Sequence, residues 1–363
     1  IVSFRIKKID TILSKLERFP RMRLNQMGDI AGCRCIVQSE SAVYKIKNIL
    51  ENKLEVLTVK DRIEDPEDDG YRALHIYVKP KNCESNKKIE IQLRTLEHHH
   101  WSTLVEIVDV VFDTKIKEGD KSLPELNSFL EKYSRIKELT KEERMDLIKI
   151  EAKFSLYSEL FNVFSKNILA LRKEWVELKD YSNQGSYLVF EVAHDTKQAS
   201  YSIHESFEDA EFEYFDKFIS SNGDLLVSHL DINKFNQLTI AYSNYVLTNH
   251  DFQDSWIEFV IETMNLLADN KEYQELKEVH DQFLKNIHLD QDTFQLEMNS
   301  VDQSLHNGDM DVSVFLKLNS WFEDKKELQE RRNKKINDLT DRLNKNLKNS
   351  QPGILGKIKN IFK

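Results

Sequence analysis

Residues 87–95 constrain the fold of this chain more than any other stretch. In Lys87-Lys88-Ile89-Glu90-Ile91-Gln92-Leu93-Arg94-Thr95, apolar and polar side chains alternate at period two. Successive side chains of a strand point to opposite faces, so Ile89, Ile91 and Leu93 define a core face, and Glu90, Gln92 and Arg94 a polar one. A half-exposed antiparallel strand gives the same alternation with no function attached. The preceding strand, 71–79, repeats the pattern: Leu74, Ile76 and Val78 take the core face, while Tyr71, Ala73, His75 and Tyr77 take the other. Two strands thus bring carboxylate, amide, guanidinium, phenol and imidazole groups to one surface of one sheet.

The flanking elements complete that sheet. Residues 5–18 read as an amphipathic helix, with Ile6, Ile9, Leu13 and Leu16 as its buried stripe and Arg5, Lys7, Lys8, Thr11 and Lys15 on the opposite face. Pro20 ends it, and Arg18, Arg21 and Arg23 extend the basic character. A strand over 29–37, a helix over 40–53 and a strand over 54–63 follow. An acidic loop, Glu64 to Gly70, then leads into the two alternating strands, which are joined by a polar turn at 81–85 and followed by a helix over 96–112. The order α-β-α-β-β-β-α predicts an α+β fold with a mixed sheet flanked by helices.

Composition narrows the class. With 363 residues, 31% of them charged, and only 9 Gly and 5 Pro, the chain reads as ordered, helix-rich and composed of several domains. A net charge of −10 excludes a protein that coats nucleic acid over its whole surface, and leaves a local basic patch around Arg5–Arg23. The cysteines Cys33, Cys35 and Cys83 form neither a disulfide framework nor a zinc pattern, which predicts a reducing, cytoplasmic setting. No run of about 18 apolar residues is present to span a membrane. The chain opens on Ile1 rather than Met, inside a basic segment, so a preceding segment is expected.

Beyond residue 112 the pattern divides further. We expect a core over 1–112, a helical extension over 113–181, a small α+β module over 186–268 and a helical C-terminal region over 269–363. Aromatic residues between 143 and 178, including Phe154, Tyr157, Phe161 and Phe164, form a core stripe on one long helix or two abutting ones. A break at 182–186 precedes a hairpin of 187–192 with 198–204, a helix over 206–219, a strand at 224–227 and helices over 231–245 and 252–267, the last capped by Asp251. Near the end, Leu328, Ile336, Leu339, Leu343 and Leu347 make a narrow apolar stripe. The tail from Pro352 sets Ile354, Leu355, Ile358, Ile361 and Phe362 against Lys357, Lys359 and Lys363. Such a tail suits an anionic membrane surface or a groove on this protein or a partner; self-packing and fraying are the plainer outcomes.

Several groups tempt a metal assignment. The dipeptides His194-Asp195, His250-Asp251 and His280-Asp281 fall at a hairpin turn, a helix start and a helix interior, where polar residues have local structural reasons. His98-His99-His100 diverge by about 100° per residue on a helix and do not converge on an ion. Asp29 and Glu90 are the better pair: two separated carboxylates facing a cleft can hold Mg²⁺, with Lys and Arg on the remaining phosphate oxygens. Tyr71 offers a ring on which a base can stack. Together these describe a site for nucleotide-phosphate transfer, without a glycine-rich phosphate loop.

Three blocks, Asp29-Ile30-Ala31-Gly32-Cys33-Arg34, Gly70-Tyr71-Arg72-Ala73-Leu74-His75 and Glu90-Ile91-Gln92-Leu93-Arg94-Thr95 followed by His99 and Trp101, resemble the signature of the RelA/SpoT-type alarmone synthetases in order and spacing over residues 4–112. The resemblance implies a nucleotidyltransferase-like fold and transfer of the β,γ-pyrophosphate of ATP to the ribose 3′-hydroxyl of GDP or GTP. Arg5 and Arg34 match the arginines that sandwich the adenine of ATP, and Lys7, Thr11 and Lys15 its phosphate contacts. Asp29 matches the Mg²⁺ ligand. Glu90 matches the carboxylate that shares the metal and activates the attacking hydroxyl. Tyr71 corresponds to the ring that stacks on the acceptor guanine and His75 to a group near the acceptor phosphates, with Gln92 and Arg94 as further acceptor contacts.

The chain also departs from that pattern. Glu67 stands where the family often has lysine, in a loop that carries Asp65, Asp68 and Asp69, and such acidity is expected to repel the acceptor's 5′-phosphates. The resemblance leaves three functions to separate: synthesis of a (p)ppGpp-type alarmone under a C-terminal regulatory region, pyrophosphorylation of the 3′ end of tRNA by a toxic relative, and an inactive scaffold that binds a protein partner. The basic run Arg18, Arg21, Arg23 would suit the backbone of tRNA. A protein regulator, or self-inhibition through the C-terminal region, is a further expectation.

Overall fold

The computed structural model describes residues 1–7, 9–67, 69–79, 87–165, 167, 186–193, 195–220, 223–230, 250–308 and 312–350. The expected turn at 81–85, the helix at 231–245, the tail from 352, His194 and Cys83 lie outside the described residues, as does most of the break at 182–186.

In chain order the elements are β1 (Val2–Ile6), α1 (Ile9–Arg18), β2 (Ala31–Val37), α2 (Glu40–Lys53), β3 (Glu55–Asp61), β4 (Leu74–Lys79), β5 (Ile89–Thr95), α3 (Leu96–Phe112) and α4 (Pro124–Tyr133). There follow α5 (Lys141–Phe154), α6 (156–165), β6 (Ser186–Ala193), β7 (Ala199–His204), α7 (Phe207–Ser220), β8 (Gly223–Leu230), α8 (His250–Asp269), α9 (Tyr273–His306) and α10 (Val312–Ser350). Two compact units result, residues 1–138 with 162–252, and residues 139–161 with 253–363.

In the first unit, five strands form a sheet in the order β1-β2-β5-β4-β3. The β2–β5 pair is parallel and the other three are antiparallel, giving the mixed sheet expected of an α+β fold. The helix expected over 5–18 is shorter: residues 2–6 are the edge strand β1, paired from Val2↔Cys35 to Ile6↔Ala31, and the helix starts at Ile9. Five residues of alternation, Val-Ser-Phe-Arg-Ile, are too few to outweigh the helical spacing that follows; the open edge of β2 decides the matter. The predicted buried stripe is also incomplete, for Leu13 is 51% exposed.

The core face is as the alternation requires. Leu74, Ile76 and Val78 of β4 and Ile91 and Leu93 of β5 cluster under Val43 of α2, a helix capped by Ser39, whose Oγ accepts the Ala42 amide at 3.3 Å. At roughly 1.5–3 kcal/mol for each large apolar side chain removed from water, this cluster fixes the register of both strands. The opposite face is not open to solvent. Glu90, Gln92 and Arg94 are 5%, 7% and 2% exposed, because Ser102 and Glu106 of α3 stand across a cleft from them. A second sheet in the same unit, ordered β7-β6-β8 and antiparallel throughout, packs with α7. Asn167 pins its hairpin by donating to the Lys197 carbonyl and accepting the Ala199 amide. Asp251, expected as an N-cap, lies inside the first turn of α8, and its carboxylate stands 3.1 Å from His100 Nδ1.

The second unit is helical. α5 and α6 are two abutting helices, separated at Ser155 by a left-handed residue, φ 51°. Tyr157, Leu160 and Phe161 are buried, as the aromatic stripe predicts. Ile336, Leu339 and Leu343 of α10 are buried likewise. A polar seam crosses this unit: Arg332 donates to Asp254 at 2.8 Å and Glu258 at 3.1 Å, and His280 meets Thr340 at 2.8 Å. Among the described residues no helix is long and apolar enough to cross a membrane.

Candidate active site

Register turns three sequence blocks into two rows across the sheet. Arg5 pairs with Gly32, Gly32 with Glu90, and Glu90 with Tyr77; two residues further along, Arg34 pairs with Gln92, Gln92 with His75, and His75 with Lys60. Residues directly opposite one another share a face. β5 is the central strand of the sheet, so Glu90 lies at its middle, with β2 on one side and β4 on the other. Gly32 is required beside it, since a Cβ there would lie 2.8 Å from the Glu90 carbonyl oxygen. The cleft over this face, of about 280 Å³, is bordered by Asp29, Arg34, Tyr71, His75, Glu90 and Gln92, with Arg94 deeper on β5.

On the β2 side the chain carries Asp29 across Tyr77. Gly28 makes this approach possible, for a Cβ at that position would come within 2.9 Å of the Tyr77 ring. Lys7 and Lys15 donate to Asp29 Oδ2 at 2.7 Å and 2.9 Å. Lys7 lies just beyond β1 and Lys15 two turns along α1, so the strand-to-helix corner brings both ammonium groups to one oxygen. Burial by itself would raise the Asp29 pKa; the hydrogen bonds and charges of the two lysines outweigh it and hold the carboxyl at about 2. Oδ1 of Asp29 is buried and has no hydrogen-bond partner among the described residues. A buried, ionised oxygen of this kind is suited to a cation.

Glu90 is the hub of a hydrogen-bond chain. Its Oε1 accepts from the Tyr77 hydroxyl and from His75 Nδ1, both at 2.8 Å, and its Oε2 accepts from Gln92 Nε2 at 3.2 Å. Gln92 Oε1 in turn accepts from Arg94 Nη2 at 2.6 Å and Arg34 Nε at 3.4 Å. Burial, together with the negative charge of Glu90, raises the Tyr77 pKa far above its ordinary value, so Tyr77 remains a hydroxyl donor. His75 Nε2 meets the Tyr71 hydroxyl at 2.9 Å. With Nδ1 donating to the carboxylate, the tautomer that leaves Nε2 without a proton accepts a hydrogen bond from the Tyr71 hydroxyl there. His75 therefore links the ring of Tyr71 to the carboxylate of Glu90.

The outer wall of the cleft, on the β3–β4 side, is formed by Lys60 and Arg62, with Glu67 from the loop and Lys117 beyond α3. The sequence presents Glu67 as an open negative charge; the structure pairs it with Arg62, Nε to Oε1 at 3.2 Å. Lys117 is paired with Glu106. The loop is a tight turn: the Gly70 amide donates to the Glu67 carbonyl at 2.9 Å, and Asp69 Oδ1 accepts the Tyr71 amide at 2.9 Å. Gly70 has φ 92°, a conformation that favours glycine, and a Cβ there would also strike Ser134.

Of the eleven residues singled out in the sequence, Asp29, Arg34, Tyr71, His75, Glu90, Gln92 and Arg94 border the cleft, and Lys7 and Lys15 reach it through Asp29. Thr11, half-buried on α1, does not line it. Arg5 occupies its place in the β1–β2 ladder, and its side chain lies outside the described residues. Sequence reasoning missed Lys60, Arg62, Lys117 and the bond from Tyr77 to Glu90. The alternation of β4 already set Tyr77 on the polar face; the other three depend on the loops and on the position of α3.

A family model described as a region found in RelA / SpoT proteins matches residues 4–108. The chain is 33% identical over 111 residues to GTP pyrophosphokinase YwaC of Bacillus subtilis, covering 28% of this chain and 53% of that protein. It is 30% identical over 162 residues to GTP pyrophosphokinase YjbM of the same organism, covering 42% and 76%. The chain thus spans about half the length of the first relative and three quarters of the second. Among solved structures it is similar to small alarmone synthetase 1 of Bacillus subtilis bound to its product pppGpp, at 26% identity over 37% of this chain and 70% of that one, with a TM-score of 0.32.

Proposed function

This chain belongs to the RelA/SpoT family, and from that premise we propose that it is a pyrophosphokinase, transferring the β,γ-pyrophosphate of ATP to the ribose 3′-hydroxyl of GDP or GTP. The observation that carries this reading is the placement of Glu90 in the central strand, between the Lys7–Asp29–Lys15 cluster and the Tyr71–His75 pair. A base at that point lies between a phosphate-binding end and an aromatic stacking surface, as a transfer between two nucleotides demands.

In this reading ATP lies on the β1–β2 side, where Lys7 and Lys15 hold phosphate oxygens and Arg34, with Arg5, flanks the adenine. Tyr71 stacks on the acceptor base. Glu90 takes the proton of the attacking hydroxyl at its carboxylate, and His75 and Tyr77 fix the carboxylate's orientation. The ionised Asp29, with its buried Oδ1, and Glu90 fit the donor set for Mg²⁺, which when bound would neutralise phosphate charge. Lys7 and Lys15 keep the phosphates aligned for in-line attack.

Incubation with γ-labelled ATP, Mg²⁺ and, in separate arms, GDP, GTP, adenine nucleotides or deacylated tRNA tests the proposal. Label on GDP or GTP is the expected result; its absence from every acceptor would refute transfer. A second reading, transfer to the 3′ end of tRNA, is favoured by one observation: Arg18, Arg21 and Arg23 are exposed where α1 leaves the lysine cluster, as a nucleic-acid backbone requires. Label confined to tRNA would select it.

A further inference from the structure

The chain on both sides of Tyr71 is seated on one residue, Ser134, which caps the C-terminal end of α4. Before Tyr71, Gly70 lies so close to Ser134 that a Cβ would strike it. After Tyr71, the side chain of Arg72 crosses to the same place, and its Nη1 donates to the Ser134 carbonyl at 3.2 Å. The two anchors bracket the ring, one residue to each side.

The Arg72 anchor has a chemical reason. The last carbonyls of a helix lack intrahelical partners and stand at the negative end of its dipole. α4 ends at Tyr133, and the Ser134 amide still donates back to Leu130 and Glu131, so the Ser134 carbonyl stands just past the last turn. A guanidinium is a donor well suited to that position. Arg72 is half-buried, and among the described residues it pairs with no carboxylate that would draw it elsewhere.

Trp101 supplies a third hold. Its indole N–H donates to the Leu130 carbonyl, one turn back on α4, at 2.8 Å, and its ring centroid lies 6.4 Å from that of Tyr71. Packing does not fill this side of the loop, where a cavity of about 220 Å³ is bordered by Gly70, Arg72, Trp101 and Ser134. Atoms that line a void lose contacts on one side, which leaves directional bonds to fix the backbone.

We infer that Arg72 is a positioning residue for the acceptor: its bond to the end of α4 holds Tyr71 where a stacked base requires it. The inference rests on the reading above, in which Tyr71 stacks on the acceptor base. Arg72 does not border the cleft over Glu90, so it acts through Tyr71 alone. His75 fixes the hydroxyl end of the ring, and Arg72 the backbone from which the ring extends. With both ends fixed in the free protein, the ring need not be ordered when the base arrives.

Steady-state kinetics with ATP as donor and GDP or GTP as acceptor test this on the full chain. Arg72→Met keeps the length of the side chain and removes its donors, whereas Arg72→Lys keeps a charged donor. We expect Arg72→Met to raise the acceptor KM about tenfold and leave the KM for ATP unchanged within about twofold, with most of the loss recovered in Arg72→Lys. Arg72→Gln, milder in the same direction, replaces Arg72→Met should that variant fail to fold. Equal changes in both KM values, or no recovery in Arg72→Lys, would overturn the inference.

Amide hydrogen exchange in the nucleotide-free protein reads the same anchor without turnover. The Tyr71 amide donates to Asp69 Oδ1, so its exchange reports whether the loop is held. In Arg72→Met, residues 69–73 should exchange about tenfold faster, with β5 unchanged. If the wild type transfers to no acceptor, the transfer reading fails, and the exchange result alone decides whether Arg72 holds Tyr71. If transfer occurs while residues 69–73 exchange no faster, or while the acceptor KM does not move, that reading stands and the inference falls.

Discussion

Asp29 in the sheet unit is a half-buried carboxylate and Glu151 in the helical unit a buried one, and their surroundings drive them in opposite directions. Asp29 meets two ammonium groups on one oxygen, and its pKa is held at about 2 against the effect of burial. Glu151, 3% exposed, meets only neutral donors: the Tyr157 amide, Asn286 and Gln282. Burial prevails, and its pKa is raised. The number of hydrogen bonds is similar at the two sites. Formal charge on the partners decides whether burial stores an anion or discourages one. The first arrangement suits phosphate and metal chemistry, the second the packing of helices α5, α6 and α9.

The largest expected effect falls on Glu90. Glu90→Gln removes the base while keeping its shape, and should lower transfer by about a thousandfold with little change in thermal unfolding. Retained activity would dissolve the contrast between a site that uses its carboxylates and a unit that packs around them.

Asp29→Asn comes next, with a loss of about a hundredfold. It also carries a pH signature. A carboxyl whose folded pKa is depressed contributes stability that is complete above its unfolded pKa, near 3.8, and is lost as pH falls through about 2. A shift of this size corresponds to roughly 2 kcal/mol. Denaturant unfolding of the wild type should therefore weaken relative to Asp29→Asn between about pH 4 and about pH 2. Parallel curves would mean that the two lysines do not hold the anion.

His75→Ala should reduce kcat roughly tenfold and raise the acceptor KM, because it unties both Glu90 and Tyr71, while leaving the KM for ATP unchanged. An equal rise in both KM values would instead indicate general damage to the cleft.

The smallest effect is at Glu151. A carboxyl with a raised folded pKa contributes stability at low pH that is lost as pH climbs through that value. Glu151→Gln does not titrate, so it should gain on the wild type as pH rises above the ordinary glutamate value of 4.5, read by urea unfolding of the full chain. A gain toward low pH would reverse the comparison with Asp29.

Much of the sheet was legible because alternation is local. Ile89, Ile91 and Leu93 opposite Glu90, Gln92 and Arg94 needed nothing beyond their own order, and the helices expected over 40–53 and 96–112 are found as α2 and α3. β1 was not legible, since an edge strand of five residues becomes a strand only when a neighbour supplies hydrogen bonds. The burial of the polar face was not legible, because no local pattern states that Ser102 and Glu106 of α3 stand across the cleft from it.

By itself the sequence determined which groups exist to do chemistry here: two carboxylates, a cluster of lysines and arginines, and a tyrosine with a histidine; along β4 and β5 the period of two also set His75, Tyr77, Glu90, Gln92 and Arg94 on one face. Tertiary structure decided their company. Parallel pairing of β2 with β5 placed Glu90 beside Gly32 and opposite Tyr77, the strand-to-helix corner after β1 brought Lys7 and Lys15 onto Asp29, and a tight turn closed Glu67 onto Arg62. These partners lie up to 58 residues apart in the chain, as Arg34 and Gln92 do, and long-range electrostatics depends on distances that only the folded sheet sets.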